Sequence, residues 1–167
     1  MVVEGFQLGG GGSAMQHQGV HYDTGPVFRG PGYAISTRPP ALDMAVVRRE
    51  LEVVRDDLHA HPVRIVGSQV DRMTAVAELA CGLGIEVWFS PAVFEYSMDE
   101  TTARLVAAAK EAPRLDGVQP GRVIFVAGSE LTLLMRGLIE RSSVTDPLKR
   151  LKADPALLGH GELRTQP

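Results

Sequence analysis

The sequence lacks the features that mark several protein classes. Its 167 residues include one cysteine, Cys81, so neither an internal disulfide nor a cysteine-based metal site is available. The net charge of -3 and the scattered basic residues argue against a nucleic-acid partner. No apolar run approaches the roughly 20 residues that span a bilayer, and the N-terminus lacks a signal-peptide pattern. We therefore expect one globular domain, cytoplasmic by default, with no membrane partner.

What the chain does contain is a repeated strand and helix pattern. Short apolar runs predict four strands, at Gly19 to Asp23, Pro62 to Gly67, Ile85 to Ser90 and Arg122 to Glu130. Helical spacing of apolar residues predicts four helices that begin at about residues 43, 71, 97 and 131. Asp43 and the pair Ser97 and Glu100 are expected to cap two of them. Alternating strand and helix units predict an α/β fold with a parallel sheet.

The chain divides into three predicted parts. Residues 1–17 include the glycine run Gly9 to Gly12 and are expected to be a flexible leader outside the fold. Residues 18–145 form the domain, and residues 146–167 form a C-terminal tail in which the apolar periodicity fades. Within the domain, residues 24–42 are rich in proline and glycine and are predicted to be a long loop. This loop either lines a pocket or is a solvated connection, and its pocket candidates are Phe28, Arg29, Tyr33 and Arg38.

Each predicted strand separates an apolar face from a face with polar side chains. Because side chains alternate along a strand, the second face collects His21, Asp23, Arg64, Glu86, Trp88, Ser90 and Glu130. A doubly wound sheet buries both faces under helices, whereas a (β/α)8 barrel allows polar groups inward near the carboxyl ends of its strands. The pattern therefore favours a TIM-type barrel sheet. A buried guanidinium needs an acceptor, so we expect Arg64 to form an ion pair with Glu86 or Asp23.

Four segments resemble the first four strands of barrel proteins similar to clan A glycoside hydrolases, including actinobacterial barrel proteins. They are Gly19-Val-His-Tyr-Asp23, Val63-Arg-Ile-Val66, Glu86-Val-Trp-Phe-Ser-Pro91 and Gly128-Ser-Glu130. The resemblance covers about residues 18–140. It implies that Glu130, at the end of strand four, is the acid/base of a glycosidase and that Arg64 supports the catalytic carboxylates. Ser129 stands where the family usually has asparagine before this glutamate.

The count of βα units gives about half of a (β/α)8 barrel, which normally takes at least about 200 residues. The family takes its nucleophile from strand seven, which this chain does not supply. Three functions therefore stay open. The chain is a sugar- or polyol-binding barrel fragment with glycosidase-type hydrolysis, a non-catalytic half-barrel that assembles with its own copy or another chain, or an inactive truncated remnant.

The predicted site consists of one catalytic residue, Glu130, and six substrate-binding residues, Asp23, Arg64, Trp88, Ser90, His21 and Tyr96. Several have a structural alternative. The Glu130 carboxylate would cap the following helix, Trp88 and Tyr96 would be core aromatics together with Phe94, and His21 would be a hydrogen-bonded histidine of the inner face. No close spacing of ligand residues suggests a metal, and no cofactor is predicted.

Overall fold

The computed structural model describes residues 2–4, 18–30, 32–118, 121–139 and 146–153. The strands are β1 (Val2–Glu4), β2 (Gly19–Asp23), β3 (Val27–Gly30), β4 (Tyr33–Ser36), β5 (Val63–Gly67), β6 (Val87–Pro91) and β7 (Val123–Phe125). The helices are α1 (Met44–Asp56), α2 (Val70–Gly82), α3 (Met98–Asp116), α4 (Leu131–Leu134) and α5 (Asp146–Ala153). None of the helices described has both the length and the apolar character needed to cross a membrane.

The main sheet has five strands in the order β1-β2-β5-β6-β7. Strands β2, β5, β6 and β7 run parallel, and β1 pairs antiparallel with β2. Helices α1, α2 and α3 alternate with the parallel strands along the chain, whereas β3 and β4 form a separate hairpin. This arrangement confirms the predicted α/β fold with its parallel strands and βα order. Membership in a TIM-type barrel stays a prediction.

Helices α1, α2 and α3 cover one face of the sheet. On this face Ile65 and Phe89 are fully buried. They belong to one apolar cluster with Leu51 of α1, Met73 of α2 and Leu115 of α3. Burial of these large side chains, each worth about 1.5–3 kcal/mol relative to exposure, holds the helix layer on the sheet. The alternation in the sequence predicted this helix-facing side.

Two helix starts follow their predicted caps. The Asp43 carboxylate accepts a hydrogen bond from the Ala45 amide at 2.9 Å at the start of α1. At the start of α3, the Ser97 hydroxyl accepts from the Glu100 amide, and the Glu100 carboxylate accepts from the Ser97 amide at 2.8 Å. Each contact satisfies backbone donors that the helix itself leaves free. The predicted capping box is therefore confirmed.

The segment 24–42 is not the irregular loop that its composition predicted. It contains the β3–β4 hairpin, in which Phe28 lies opposite Ile35 and Gly30 lies opposite Tyr33. Gly32, in the turn, has a φ of 78°, a backbone conformation that glycine adopts without steric cost. Proline and glycine here mark the turn and the ends of the hairpin, and the prediction missed the two short strands between them. The side chain of Arg29 lies outside the described residues.

The predicted fourth strand and its helix are shorter than the apolar pattern indicated. Strand β7 covers Val123–Phe125 only, and α4 covers Leu131–Leu134 only. Gly128 and Glu130 have φ values of 142° and 54°, so the extended backbone has ended before the glutamate. Strand alternation therefore does not assign Glu130 to a face of the sheet. The predicted strand was too long, and the place of Glu130 on the inner face stays a prediction.

Both ends of the chain contain regular structure that the sequence did not predict. Strand β1, inside the predicted leader, pairs with β2 in a register that sets Val2 opposite His21 and Glu4 opposite Gly19. Helix α5 lies at the start of the predicted tail. Residues 5–17 and 154–167 lie outside the described part of the chain. The division into leader, domain and tail stays a prediction.

Candidate functional site

The sheet face opposite α1, α2 and α3, hereafter the open face, carries His21, Asp23, Arg64, Trp88, Ser90 and Ile124. The strand register aligns His21 with Arg64, Arg64 with Trp88, and Trp88 with Ile124. Trp88 is 37% exposed and Ile124 is 46% exposed, while His21 and Arg64 are half-buried. On the opposite side, Val63 and Ile65 of β5 and Val87 and Phe89 of β6 are fully buried. Within the described residues, the long helices leave Trp88 and Ile124 of the open face exposed, whereas Ser90 is buried.

Arg64 is held by a serine. Its Nε and Nη2 atoms donate to the Ser90 hydroxyl at 3.2 and 3.0 Å. No ion pair in the described part of the chain joins Arg64 to Glu86 or Asp23, so the predicted ion pair is wrong. The register sets Arg64 opposite Trp88, and Glu86 precedes the start of β6. A half-buried guanidinium still reaches water, which removes the need for a buried counter-charge.

Trp88 presents an indole ring with a fixed hydrogen bond. Its Nε1 atom donates to the Glu86 carboxylate at 2.8 Å. Glu86 therefore orients the aromatic ring, while Arg64 supplies donors from the neighbouring strand. An exposed aromatic surface beside oriented polar groups is the usual composition of a small-molecule site. Trp88 is also the chain's single tryptophan, so its fluorescence reports on the open face alone.

At the carboxyl end of β2, the Asp23 side chain accepts hydrogen bonds from residues on both sides of the β3–β4 hairpin. Its Oδ1 atom accepts from the Gly25 amide at 2.6 Å and from the Thr37 hydroxyl at 2.9 Å. The next residue, Thr24, donates twice to the Val66 carbonyl, from its amide at 2.8 Å and its hydroxyl at 2.9 Å. The bond from the Gly25 amide forms an Asx turn, which the Asp-Thr-Gly segment would have signalled. These contacts give Asp23 a structural task besides any contact with a ligand.

Glu130 lies beyond the carboxyl end of β7, immediately before α4. Its backbone is left-handed, with φ 54° and ψ 33°. The side chain is exposed and makes no capping hydrogen bond, and it is the backbone oxygen that accepts from the Leu133 and Leu134 amides at 2.9 Å. The carboxylate therefore does not serve as the helix cap that was the structural alternative. It is available at the edge where barrel enzymes keep their catalytic groups.

The aromatic residues Trp88, Phe94 and Tyr96 have different neighbours. Tyr96 is buried, and the Arg104 guanidinium lies 3.9 Å from the centre of its ring. Phe94 stacks on Phe28 of the hairpin, with the ring centres 4.6 Å apart. Trp88 belongs to the open face. The sequence predicted the presence of aromatic residues near the strand ends, but the loop after β6 turns their rings toward separate partners.

A polar cluster that the sequence analysis missed lies on the helix side of β2. The Tyr22 hydroxyl donates to the Glu50 carboxylate, and Arg38 Nη2 lies 3.8 Å from the same carboxylate oxygen. Burial, followed by the bond to Glu50, raises the pKa of Tyr22 well above its ordinary value. Alternation predicted only an apolar environment for Tyr22. The cluster joins a strand, a loop and a helix, so no local spacing signals it.

The sequence comparisons identify no family for this chain. No protein-family model matches the chain, and no curated protein matches it significantly. Among the described residues, no group of three His, Cys, Asp or Glu side chains is arranged to hold a metal ion. The resemblance to clan A glycoside hydrolases, and with it the catalytic role of Glu130 and the ligand contacts of the other predicted residues, stays a prediction.

Proposed function

We propose that this chain is a sugar- or polyol-binding half-barrel that works in an assembly with a second copy of itself. The observation that carries the proposal is the one-sided cover of the sheet. Parallel strands, such as the four from β2 to β7 in this sheet, almost always have both faces covered, yet Trp88 and Ile124 are 37% and 46% exposed on the open face. A second half-barrel would remove this apolar surface from water and would enclose the polar groups beside it.

A second copy suits the open face because the face carries charges of both signs. Two copies related by a twofold axis present the same patch to each other, so the patch must complement itself. Arg64 contributes a cation, and Asp23 contributes an anion on the same face. At the sheet edges, β1 already pairs with β2, whereas no described strand pairs with the outer side of β7. That free edge is a ready template for pairing with another chain.

The same face supports a polyhydroxylated ligand. The Trp88 ring offers a flat apolar surface for the carbon-bound hydrogens of a sugar ring, and its bond to Glu86 limits ring rotation. Arg64, fixed by Ser90, offers charged donors for hydroxyl oxygens on the adjacent strand. This combination orients a ligand without a cofactor.

Hydrolysis of a glycosidic bond is a second candidate, favoured by the backbone at Glu130. A left-handed conformation costs a residue with a Cβ roughly 1–2 kcal/mol, and such strain gathers at functional sites. Glu130 adopts it with an exposed carboxylate. A retaining mechanism needs a second carboxylate about 5–5.5 Å away. In the proposed assembly, the second half supplies that group.

Ligand binding is tested by tryptophan fluorescence. Titration with monosaccharides and polyols should change the emission of Trp88, and calorimetry should show at least tenfold weaker binding for Trp88→Ala. Ile35→Ala, which removes an exposed side chain of the hairpin, is the matched control and should bind like the wild type. Unaltered emission with every sugar up to about 100 mM, roughly a hundred times a typical upper Michaelis constant, would contradict ligand binding on the open face.

Assembly is tested by light scattering. The wild type should have a mass of twice the 18.0 kDa of one chain, and Ile124→Asp should be monomeric because it buries a charge in the interface. Val46→Asp is the matched control, since Val46 is 49% exposed on α1, outside the open face. It should stay dimeric. A monomeric wild type at about 100 μM, where even a weak complex with a Kd of about 1 μM is mostly formed, would refute the assembly.

Hydrolysis is tested with activated aryl glycosides. Glu130→Gln keeps the size of the side chain and removes its acid/base function, so turnover should fall by about 100-fold or more. Asp57→Asn, at the end of α1, is the control for loss of an exposed carboxylate and should keep wild-type turnover. Equal turnover of Glu130→Gln and the wild type would exclude the acid/base role.

A further inference from the structure

Arg72, in the first turn of α2, has two guanidinium donors that are buried without an acceptor. Its Nη1 atom donates to the Pro40 carbonyl at 3.3 Å. Its Nε and Nη2 atoms are buried, and neither has a hydrogen-bond partner among the described residues. A charged group that leaves water without replacement hydrogen bonds destabilises the fold. An acceptor from outside the described residues would relieve this cost.

The geometry of these donors determines which kind of acceptor group fits them. Nε and Nη2 form one edge of the planar guanidinium, and their N–H bonds are nearly parallel, which fits two oxygens of one carboxylate or phosphate group. Arg64 uses the same two atoms to bind Ser90, so the edge is engaged where an acceptor is present. The bond to Pro40 holds the Arg72 plane and leaves this edge free.

Gly25 packs closely against the free edge of Arg72. A Cβ at Gly25 would lie 3.3 Å from Arg72 Nη2, 3.1 Å from the Ser36 hydroxyl and 3.4 Å from Arg38 Cβ. Gly25 has a φ of 105°, so a side chain at this position would also be strained. The free edge of Arg72 thus lies beneath the base of the hairpin, with a hydroxyl donor nearby.

The acidic groups near this position are already engaged or exposed. Asp23 accepts from the Gly25 amide and from Thr37, and Glu50 accepts from Tyr22 and pairs with Arg38. Asp71, which precedes Arg72, is exposed to solvent. No described carboxylate lies within ion-pair distance of Arg72. Arg38 therefore has a counter-charge in Glu50, whereas Arg72 has none among the described residues.

We infer that Arg72 binds the oxyanion of a small ligand, a carboxylate or a phosphate group, at the base of the β3–β4 hairpin. The Nε and Nη2 donors bind two of its oxygens, and Ser36 is positioned to donate to a third. Since both donors are buried, the anion binds with the hairpin base displaced from Arg72. This site lies beyond the carboxyl end of β2, beside the first turn of α2, and does not rest on the function proposed for the open face.

Thermal unfolding with inorganic phosphate, with acetate and with sodium chloride at equal ionic strength tests the inference. At tenfold excess over its Kd, the bound anion should raise the wild-type Tm by about 3–6 °C, while chloride should not. Comparison of phosphate with acetate distinguishes the two oxyanions. The shift should be lost in Arg72→Gln and reduced in Arg72→Lys, which keeps the charge without the two-donor edge.

Arg49→Gln is the matched control, because Arg49 is exposed on α1, and it should keep the full shift. If Arg72→Gln does not fold, the wild type and Arg72→Lys are titrated with phosphate and with acetate in a calorimeter. We then expect tighter anion binding to the wild type. Equal responses to chloride and to both oxyanions, or a shift retained in Arg72→Gln, would overturn the inference. The inference would also be overturned if anions did not change the Tm of the wild type and Arg72→Met raised it. The buried donors would then only destabilise the fold.

Discussion

Substitution of Gly67 by alanine tests how the carboxyl ends of β2 and β5 are joined. The new Cβ would lie 2.1 Å from the Thr24 hydroxyl oxygen and 3.0 Å from Met73 Cγ. The first distance is far inside contact, and Thr24 is itself 1% exposed and bonded to the Val66 carbonyl. Either the hydroxyl leaves its acceptor or the two strand ends separate. Overpacking and loss of one buried hydrogen bond together should lower the free energy of unfolding by about 2–4 kcal/mol.

A double-mutant cycle separates the steric conflict from other effects. Thr24→Ala alone should cost about 1–2 kcal/mol, because it removes one buried hydrogen bond and a small volume. In Thr24→Ala/Gly67→Ala the closest contacts of the new methyl group are Met73 Cγ at 3.0 Å and Cβ of residue 24 at 3.4 Å. Most of the conflict is then relieved. The double variant should therefore be more stable than the sum of the single effects by about 1–2 kcal/mol.

Urea unfolding followed by far-UV circular dichroism measures the four free energies of this cycle. Gly82→Ala is the control, because a Cβ there meets no atom within 4 Å. It should leave stability unchanged or raise it by up to about 1 kcal/mol, as alanine does in a helix. Additive single effects, within about 0.5 kcal/mol, would show that Gly67 and Thr24 are not in the close contact on which the reasoning rests.

Three further predictions concern side chains outside the open face. Because burial and the bond to Glu50 raise the pKa of Tyr22, the folded state keeps its proton where the unfolded chain has lost it, so stability should fall above pH 10. Tyr22→Phe should make the pH dependence of unfolding between about pH 9 and 11 flatter; an unchanged slope would refute the coupling. Ser97→Ala should cost about 1 kcal/mol in urea unfolding by breaking the capping box with Glu100, and a loss below 0.3 kcal/mol would contradict its role. Burial raises the pKa of the Cys81 thiol, so labelling by a disulfide reagent should be at least about 100-fold slower in the native protein than in urea, and comparable rates would contradict its burial.

The sequence predicted the features that depend on local spacing. Alternation along β5 correctly separated Ile65, which faces the helices, from Arg64 on the other face. The capping box of α3 was readable because Ser97 and Glu100 are three residues apart. Such signals do not depend on tertiary contacts, because helix and strand geometry alone fix the directions of neighbouring side chains.

Only the tertiary structure decided which distant groups meet. Arg64 binds Ser90 because the register of β5 on β6 brings that hydroxyl within reach, a choice that neither strand encodes alone. The free edge of Arg72 exists because the segment between the hairpin and α1 supplies one carbonyl, that of Pro40, and no carboxylate. Alternation does not assign Glu130 to a face, because β7 ends at Phe125 and the backbone at Glu130 is left-handed. Each of these outcomes depends on contacts between segments far apart in sequence, where shifts of an ångström determine whether a donor finds an acceptor.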